Sequence, residues 1–221
     1  QSGNCPPHHN AYTKAYIYGW TSVTTLSSYD TITAQPFSTD SNSVYRINTK
    51  TPNEYYLIDN RQPIGFDQSN YGHGLMIYHA HSQIQTSLRS NTVNYSHPQM
   101  FYPVCATAPL ATPDTSAASY GNINSNECPF PGNYNIHNFT DFTTPCAKSW
   151  SGMNTGFPIR NITEDVISNT VTFICGDPAS MSCPVPSNLQ LTSITDNSAT
   201  ITWDQGSSSQ WQVCYGKVGF D

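Results

Sequence analysis

The apolar residues of this chain come in short runs with the spacing of β-strands. That pattern restricts the fold more than any other feature of the sequence. The clearest runs are Val44 to Asn48, Glu54 to Arg61, Gly74 to His81, Thr170 to Cys175 and Ala199 to Trp203. Each is rich in β-branched or aromatic residues and bounded by Gly, Pro, Asn or Asp. One stretch, near Asn10 to Tyr18, places Ala11 with Ala15 and Tyr12 with Tyr16 at i, i+4 and is the only expected helix. Charge supports the same reading. The 8 Lys plus Arg and 14 Asp plus Glu make 22 charges in 221 residues, and only Glu54, Glu127 and Glu164 are glutamates. Helical bundles and coiled coils draw on far more Glu and Lys than this. A net charge of −6 with no basic run excludes a nucleic-acid partner. No stretch approaches the roughly 18 consecutive apolar residues of a membrane span. Aromatic residues at 12% argue against a wholly disordered chain.

Between residues 82 and 135 the only charges are Arg89, Asp114 and Glu127, among many Pro, Ser, Thr and Asn. Long irregular loops are expected there, and loops of that length are uncommon unless functional or cross-linked. Cys105 and Cys128 fall inside this stretch and are candidates for a staple. The other cysteines are Cys5, Cys146, Cys175, Cys183 and Cys214. None forms CxxC, so a zinc ribbon is not expected. Seven cysteines in a chain of this type point to structural disulfides and a secreted or cell-surface location. Cys175 and Cys183 flank a short Gly/Pro loop and are the first candidate pair. The odd count leaves one thiol free or paired outside the chain. N-x-S/T sequons stand at Asn94, Asn138 and Asn161. The chain opens at Gln1 without an initiating Met or a signal peptide, and the expectation is a processed piece of a longer protein.

The expected fold is thus mainly β, with little helix. Residues 1–183 form a loop-rich β subdomain stapled by disulfides, and partial β-sandwich strands follow over 184–221. The boundary falls at Cys183-Pro184-Val185-Pro186, where two prolines suit an extended linker. After it come Ser187 to Leu191, Ser198 to Trp203 and Trp211 to Tyr215, alternating runs separated by turns. This segment resembles the opening strands of a fibronectin type III module. Proline precedes the first strand, Trp203 matches the core tryptophan of the second, and Val213 and Tyr215 match the third. Such a module needs about 90 residues. The segment ends at Asp221, with too few strands for a closed core. It is expected to be poorly ordered alone or docked on the preceding domain.

A second resemblance covers roughly residues 7 to 175. Its centre is Glu54-Tyr55-Tyr56-Leu57-Ile58-Asp59-Asn60-Arg61-Gln62, then Gly65-Phe66-Asp67, then Gly72-His73-Gly74-Leu75-Met76-Ile77-Tyr78-His79. This block resembles the one that follows the catalytic segment in immune inhibitor A-type secreted zinc metallopeptidases. Upstream, Asn10-Ala11-Tyr12, Lys14 and Gly19-Trp20 are similar to a stretch of that family. Downstream, so are Phe130-Pro131-Gly132, Thr140-Asp141-Phe142, Ser149-Trp150-Ser151-Gly152 and Ile159-Arg160-Asn161-Ile162. The resemblance implies a secreted endopeptidase that acts on protein or peptide substrates with zinc as cofactor. The family's zinc site is built on HExxH, with Glu as general base. None of the three glutamates here follows a histidine, so the motif is absent from this chain. The resemblance then implies only the part of the peptidase that lies after the catalytic helix, inactive alone, with no catalytic residues to assign.

His73, His79 and His81 are the candidate metal-binding residues. His79 and His81 alternate onto one strand face, a spacing that can bind metal, and His73 lies six residues before His79. His79 matches the histidine of the family's "YHxD", whereas His81 stands where the family has an acid. Equally, each could be a histidine hydrogen-bonded in a core or on a solvated face. Arg61 between Asp59 and Asp67 reads as an ion pair holding the turn through Pro63-Ile64-Gly65, or as a carboxylate-recognition group. Asp59, Asp67, Asn60 and Asn70 could also ligate calcium, although no EF-hand spacing is present. There is no GxSxG elbow or Gly-rich phosphate loop, and nothing selects a glycosidase carboxylate pair. Two main readings remain: the non-catalytic C-terminal part of a secreted zinc metalloendopeptidase, or an extracellular all-β binding or adhesion module. A third is a disulfide-rich β protein without a ligand.

Overall fold

The structure is a computed structural model and describes residues 6–81, 84, 91–178 and 187–204. The third fibronectin-like run, Trp211 to Tyr215, and Cys5, Cys183 and Cys214 lie outside these residues. The chain divides into two compact units, residues 1–177 and 178–221.

Among the described residues the larger unit holds eight strands: β1 (Val23–Thr25), β2 (Asp30–Ala34), β3 (Val44–Asn48), β4 (Glu54–Arg61), β5 (Gly74–His81), β6 (Phe101–Pro103), β7 (Ile159–Asp165) and β8 (Thr170–Cys175). Five form one sheet in the order β1-β3-β4-β5-β6, and three form another in the order β2-β8-β7. All pairings are antiparallel except β1 with β3. The four runs read from the sequence in this unit appear as β3, β4, β5 and β8. The fold is mainly β, as their composition predicts.

Strand β4 explains the architecture. All eight of its residues are buried, so both faces of the sheet are covered. Tyr56 and Ile58 point to one side, with Leu75 and Ile77 of β5, and meet Ile159, Ile162, Val171 and Phe173 of the second sheet in one core. Tyr55 and Leu57 point to the other side, with Tyr78 and Ala80, and pack with Ala11, Tyr12 and Phe37. The expected helix is a single π-helical stretch, Thr13–Ile17, in this second layer. The Asn10 side chain caps it by accepting from the Thr13 N–H at 2.9 Å. Gly19, at φ +66°, ends it.

In β7 a bulge shifts the register between Arg160 and Thr163. The bulge lets Ile159 and Ile162, three apart, both face the core. The stretch over 91–135 is largely irregular, with only β6 and a short 3₁₀ turn at Ala117–Tyr120. It is anchored at Phe130, whose N–H and C=O pair with Leu75 at 2.9 and 2.7 Å. This contact needs the backbones close together. A Cβ on Gly74 would stand 2.5 Å from the Phe130 carbonyl oxygen, and Gly74 sits at φ +127°.

Among the described residues the smaller unit shows one antiparallel hairpin, β9 (Ser187–Ile194) with β10 (Ala199–Asp204). Leu189 and Leu191 are 68% and 58% exposed. A two-stranded hairpin has no interior of its own, so its apolar residues stay at the surface.

Gly74→Ala is expected to destabilise the larger unit by about 2–3 kcal/mol, from both positive-φ strain and the clash with Phe130. A chemical-denaturation midpoint shift checks this. A Gly65→Ala control, where a Cβ meets nothing within 4 Å, should lose only the strain part.

Candidate functional site

Successive residues of β4 face opposite sides, so its polar side chains sort into two buried clusters. Asp59 and Arg61 lie on the face toward the N-terminal layer. Glu54 and Asn60 lie on the face toward the second sheet.

The first cluster is centred on Arg61. Its Nε donates to both Asp59 oxygens at 3.3 Å, and Nη1 donates to both Asp67 oxygens at 3.1 Å. Nη1 also donates to the His8 carbonyl at 3.2 Å, and Nη2 to the His9 carbonyl at 2.8 Å. Asp67 sits in a 3₁₀ turn, Gly65–Ser69, and accepts the His8 N–H at 2.9 Å. The guanidinium and the Lys14 ammonium both lie over the Phe37 ring, at 4.5 and 3.8 Å from its centroid. Lys14 Nζ also donates to the Phe37 carbonyl at 3.1 Å. Two carboxylates and two cations are therefore buried together. Burial pushes Asp59 up to about 6, against the pull of Arg61, and lowers Lys14, with Arg61 adding to the shift. The ion-pair reading of Arg61 is what the geometry shows. Asp59 and Asp67 turn their oxygens to the guanidinium. Asn60, on the other face, donates instead to the Ala34 and Asn169 carbonyls. The four residues considered for calcium do not converge.

Above this cluster lies a cleft of about 400 Å³, with Arg61 at its floor. His8, His9 and Asn10 form one side, and Asn124, Ser125 and Cys128 another. Burial lowers His8 from its ordinary value. A second cleft of about 540 Å³ shares His8 and His9 and is lined by Trp20, Phe37 and Phe66. Trp20 is stacked on Tyr18 at 4.4 Å and is 60% exposed. The clefts offer amides, hydroxyls, imidazoles and aromatic faces.

The second cluster is centred on His79. Its Nδ1 accepts from the Tyr102 hydroxyl at 2.9 Å, and Nε2 donates to Glu54 at 2.7 Å. Burial lowers its pKa, with Glu54 opposing, so the ring is neutral with its proton on Nε2. The same Glu54 oxygen accepts the backbone N–H of Trp150 at 2.6 Å. The ring is stacked on Tyr56 at 4.4 Å and on Trp150 at 5.4 Å. Both nitrogens are engaged and no solvent reaches them. His73 lies elsewhere, with Nδ1 2.7 Å from Glu164, which also accepts from Gln62 at 2.8 Å. His81 is half-buried at the end of β5. The three candidate histidines do not form one site. Among the described residues no group of three His, Cys, Asp or Glu gathers to hold a metal.

The expected disulfides differ from what is observed. Cys105, Cys128, Cys146 and Cys175 are all buried free thiols. Cys105 and Cys128 lie unbonded in one small buried cluster with Ala108. Cys175 directs its sulfur to the Ser28 carbonyl at 3.7 Å, and its proposed partner Cys183 lies outside the described residues. Sequence reasoning missed the partners of His79 and the role of His8 and His9. Glu54 stands 25 residues from His79 and Trp150 stands 96 from Glu54, so no local spacing pointed to them. Only the adjacent His8-His9 pair offered a local signal. Compared with protein families, with curated proteins and with solved structures, the chain finds no match in any of the three.

Arg61→Ala is expected to cost about 3–5 kcal/mol, because it leaves two carboxylates buried without their partner. Arg61→Lys should recover little of this, since one ammonium cannot reach both carboxylates and both carbonyls. Urea denaturation measures both. His79 adds a pH effect. Its folded pKa lies below the unfolded value near 6.5. The unfolded state therefore takes up a proton first, and the contribution of the neutral ring is lost as pH falls below about 6.5. The wild-type stability curve minus that of His79→Gln should decline from pH 7 toward pH 5. A flat difference would rule this out.

Proposed function

We propose that this chain is the non-catalytic, substrate-binding β part of a secreted zinc metalloendopeptidase, followed by the opening strands of a fibronectin type III module. One observation carries the reading. The separate segments that resemble the peptidase family, weak one by one, pack against each other. Arg61 clasps Asp67 of Gly65-Phe66-Asp67. Phe130 of Phe130-Pro131-Gly132 pairs with Leu75. Trp150 stacks on His79 and donates to Glu54. Asp141 accepts the Thr155 and Gly156 N–H groups at 2.8 Å, closing the loop that carries Trp150. Arg61 also seats His8 and His9 at the cleft, where an extended peptide finds polar and aromatic contacts.

Zinc, in such an enzyme, polarises the scissile carbonyl and activates water. The histidines described here do not fit that task, because both nitrogens of His79 are engaged and His73 is paired with Glu164. The zinc ligands and the general base then belong to another part of the parent. The role left to this chain is to bind and orient a protein substrate. The aromatic cleft beside Trp20 and Phe66 favours one further reading, an extracellular binding module with no peptidase partner.

The purified 221-residue chain is expected to leave casein intact with or without a chelator. Chelator-sensitive cleavage would overturn the claim that it is non-catalytic. In the encoding gene, an HExxH within roughly a hundred residues before Gln1 is expected. A complete gene without one leaves the binding module.

A further inference from the structure

Cys105 and Cys128 end up side by side although the chain between them is almost wholly irregular. Cys105 directly follows Val104, whose N–H bonds to Ile77, and so sits beside the central sheet. Cys128 is tied back to the same place, its carbonyl accepting the Ala106 N–H at 3.0 Å. The two sulfurs share one apolar cluster with Ala108, against Met76. The Cys105 sulfur lies 3.7 Å from the Glu127 carbonyl and 3.8 Å from that of Asn122. The chain is shaped around it. A Cβ on Gly121 would stand 2.8 Å from the Cys105 Cβ and 3.0 Å from its sulfur. Segment 122–129 thus wraps the Cys105 sulfur on one side. On its other side, with Asn124, Ser125 and Cys128, it forms a wall of the cleft above Arg61.

We propose that Cys105 and Cys128 form a disulfide whose work is to fix that wall of the cleft. The two cysteines share one buried cluster at the root of the loop, where the Ala106 N–H holds the Cys128 carbonyl at 3.0 Å. The oxidant is a small disulfide of the glutathione class, R–S–S–R. Both sulfurs are shielded in the finished fold, so exchange takes place while the loop is still open. The Cys105 thiolate attacks one sulfur of R–S–S–R and expels RS⁻, leaving a mixed disulfide. The Cys128 thiolate then attacks the Cys105 sulfur and expels the second RS⁻. The two protons lost by the thiols end on the two RS⁻ groups. The dithiol is oxidised by two electrons, and R–S–S–R is reduced to two R–SH. Folding then buries the bond. It closes a loop of about two dozen residues that has little secondary structure to hold it, the case in which a cross-link constrains the unfolded chain strongly. The inference goes beyond the peptidase reading and does not depend on it.

The test refolds the whole chain in a mixture of reduced and oxidised glutathione, then alkylates free thiols under denaturing conditions. Peptide mapping is expected to find the Cys105 and Cys128 peptides joined, and separated by reductant. Both cysteines alkylated, or Cys105 joined to Cys146, overturns the proposal. Reducing the refolded protein should lower Tm by roughly 5–10 °C. It should also speed amide exchange over residues 122–129 more than over β4. The Cys105→Ala/Cys128→Ala protein should show the lower Tm with no further response to reductant. A Tm and exchange pattern unchanged by reduction also overturns the proposal. Because glutathione is supplied in the tube, failure here leaves the secreted-peptidase reading standing, and failure of the casein test leaves the disulfide standing.

Discussion

A guanidinium taken out of water needs oxygen partners for its N–H groups, and Arg61 draws them from four places in the chain. It reaches Asp59 on its own strand, Asp67 in the turn beyond it, and the carbonyls of His8 and His9 more than fifty residues upstream. Each attachment places something the others need. Holding Asp67 closes the turn between β4 and β5. Holding His8 and His9 brings the N-terminal segment over the sheet, which lets Ala11, Tyr12 and Phe37 cover it. The N-terminal segment then supplies one side of both clefts. Such a cluster adds little net stability compared with apolar residues of the same volume, but it penalises any other arrangement heavily. It works as a register pin for β4.

The opposite face of the same strand uses a different chemistry for the same purpose. Glu54, His79, Tyr102 and Trp150 form a chain of hydrogen bonds between stacked rings. The neutral imidazole satisfies one donor and one acceptor at once, which no apolar residue of that shape does. The scarcity of charge in the sequence takes on a more specific meaning here. Glu54, one of only three glutamates, is spent on orienting a histidine inside the core. Glu164 is held by His73 and Gln62.

How much could be read from the sequence follows from what stabilises each part. Strands β3, β4, β5 and β8 are defined by their own alternating or continuous apolar residues, and their bounds match the pattern. Strand β7 was visible only through the family resemblance, because its bulge breaks the period of two that places Ile159 and Ile162 on one face. Strands β1 and β6 have three residues each, too few to show any period. The ion pair of Arg61 was legible because both carboxylates lie within six residues of it. The surroundings of His79 were not, since its partners come from three distant segments. Proximity in a loop suggested Cys105 with Cys128, and the two do share one buried cluster, but as free thiols rather than as the expected staple.

The strand order carries a consequence for how the protein is made. Strand β2 leaves the first sheet's sequence, between β1 and β3, to pair with β8, so that Asp30 lies opposite Cys175. The second sheet thus needs one strand from near the beginning of the chain and two from residues 159–175. During synthesis β2 emerges long before its neighbour exists. The face of β4 that carries Tyr56 and Ile58 waits uncovered for the same strands. Contacts so distant in sequence make folding slow and leave apolar surface open in the interval. The Arg61 clasp, built entirely from residues 8 to 67, is available early. The N-terminal layer can therefore set before the rest arrives, and the last strands close onto a template already in register.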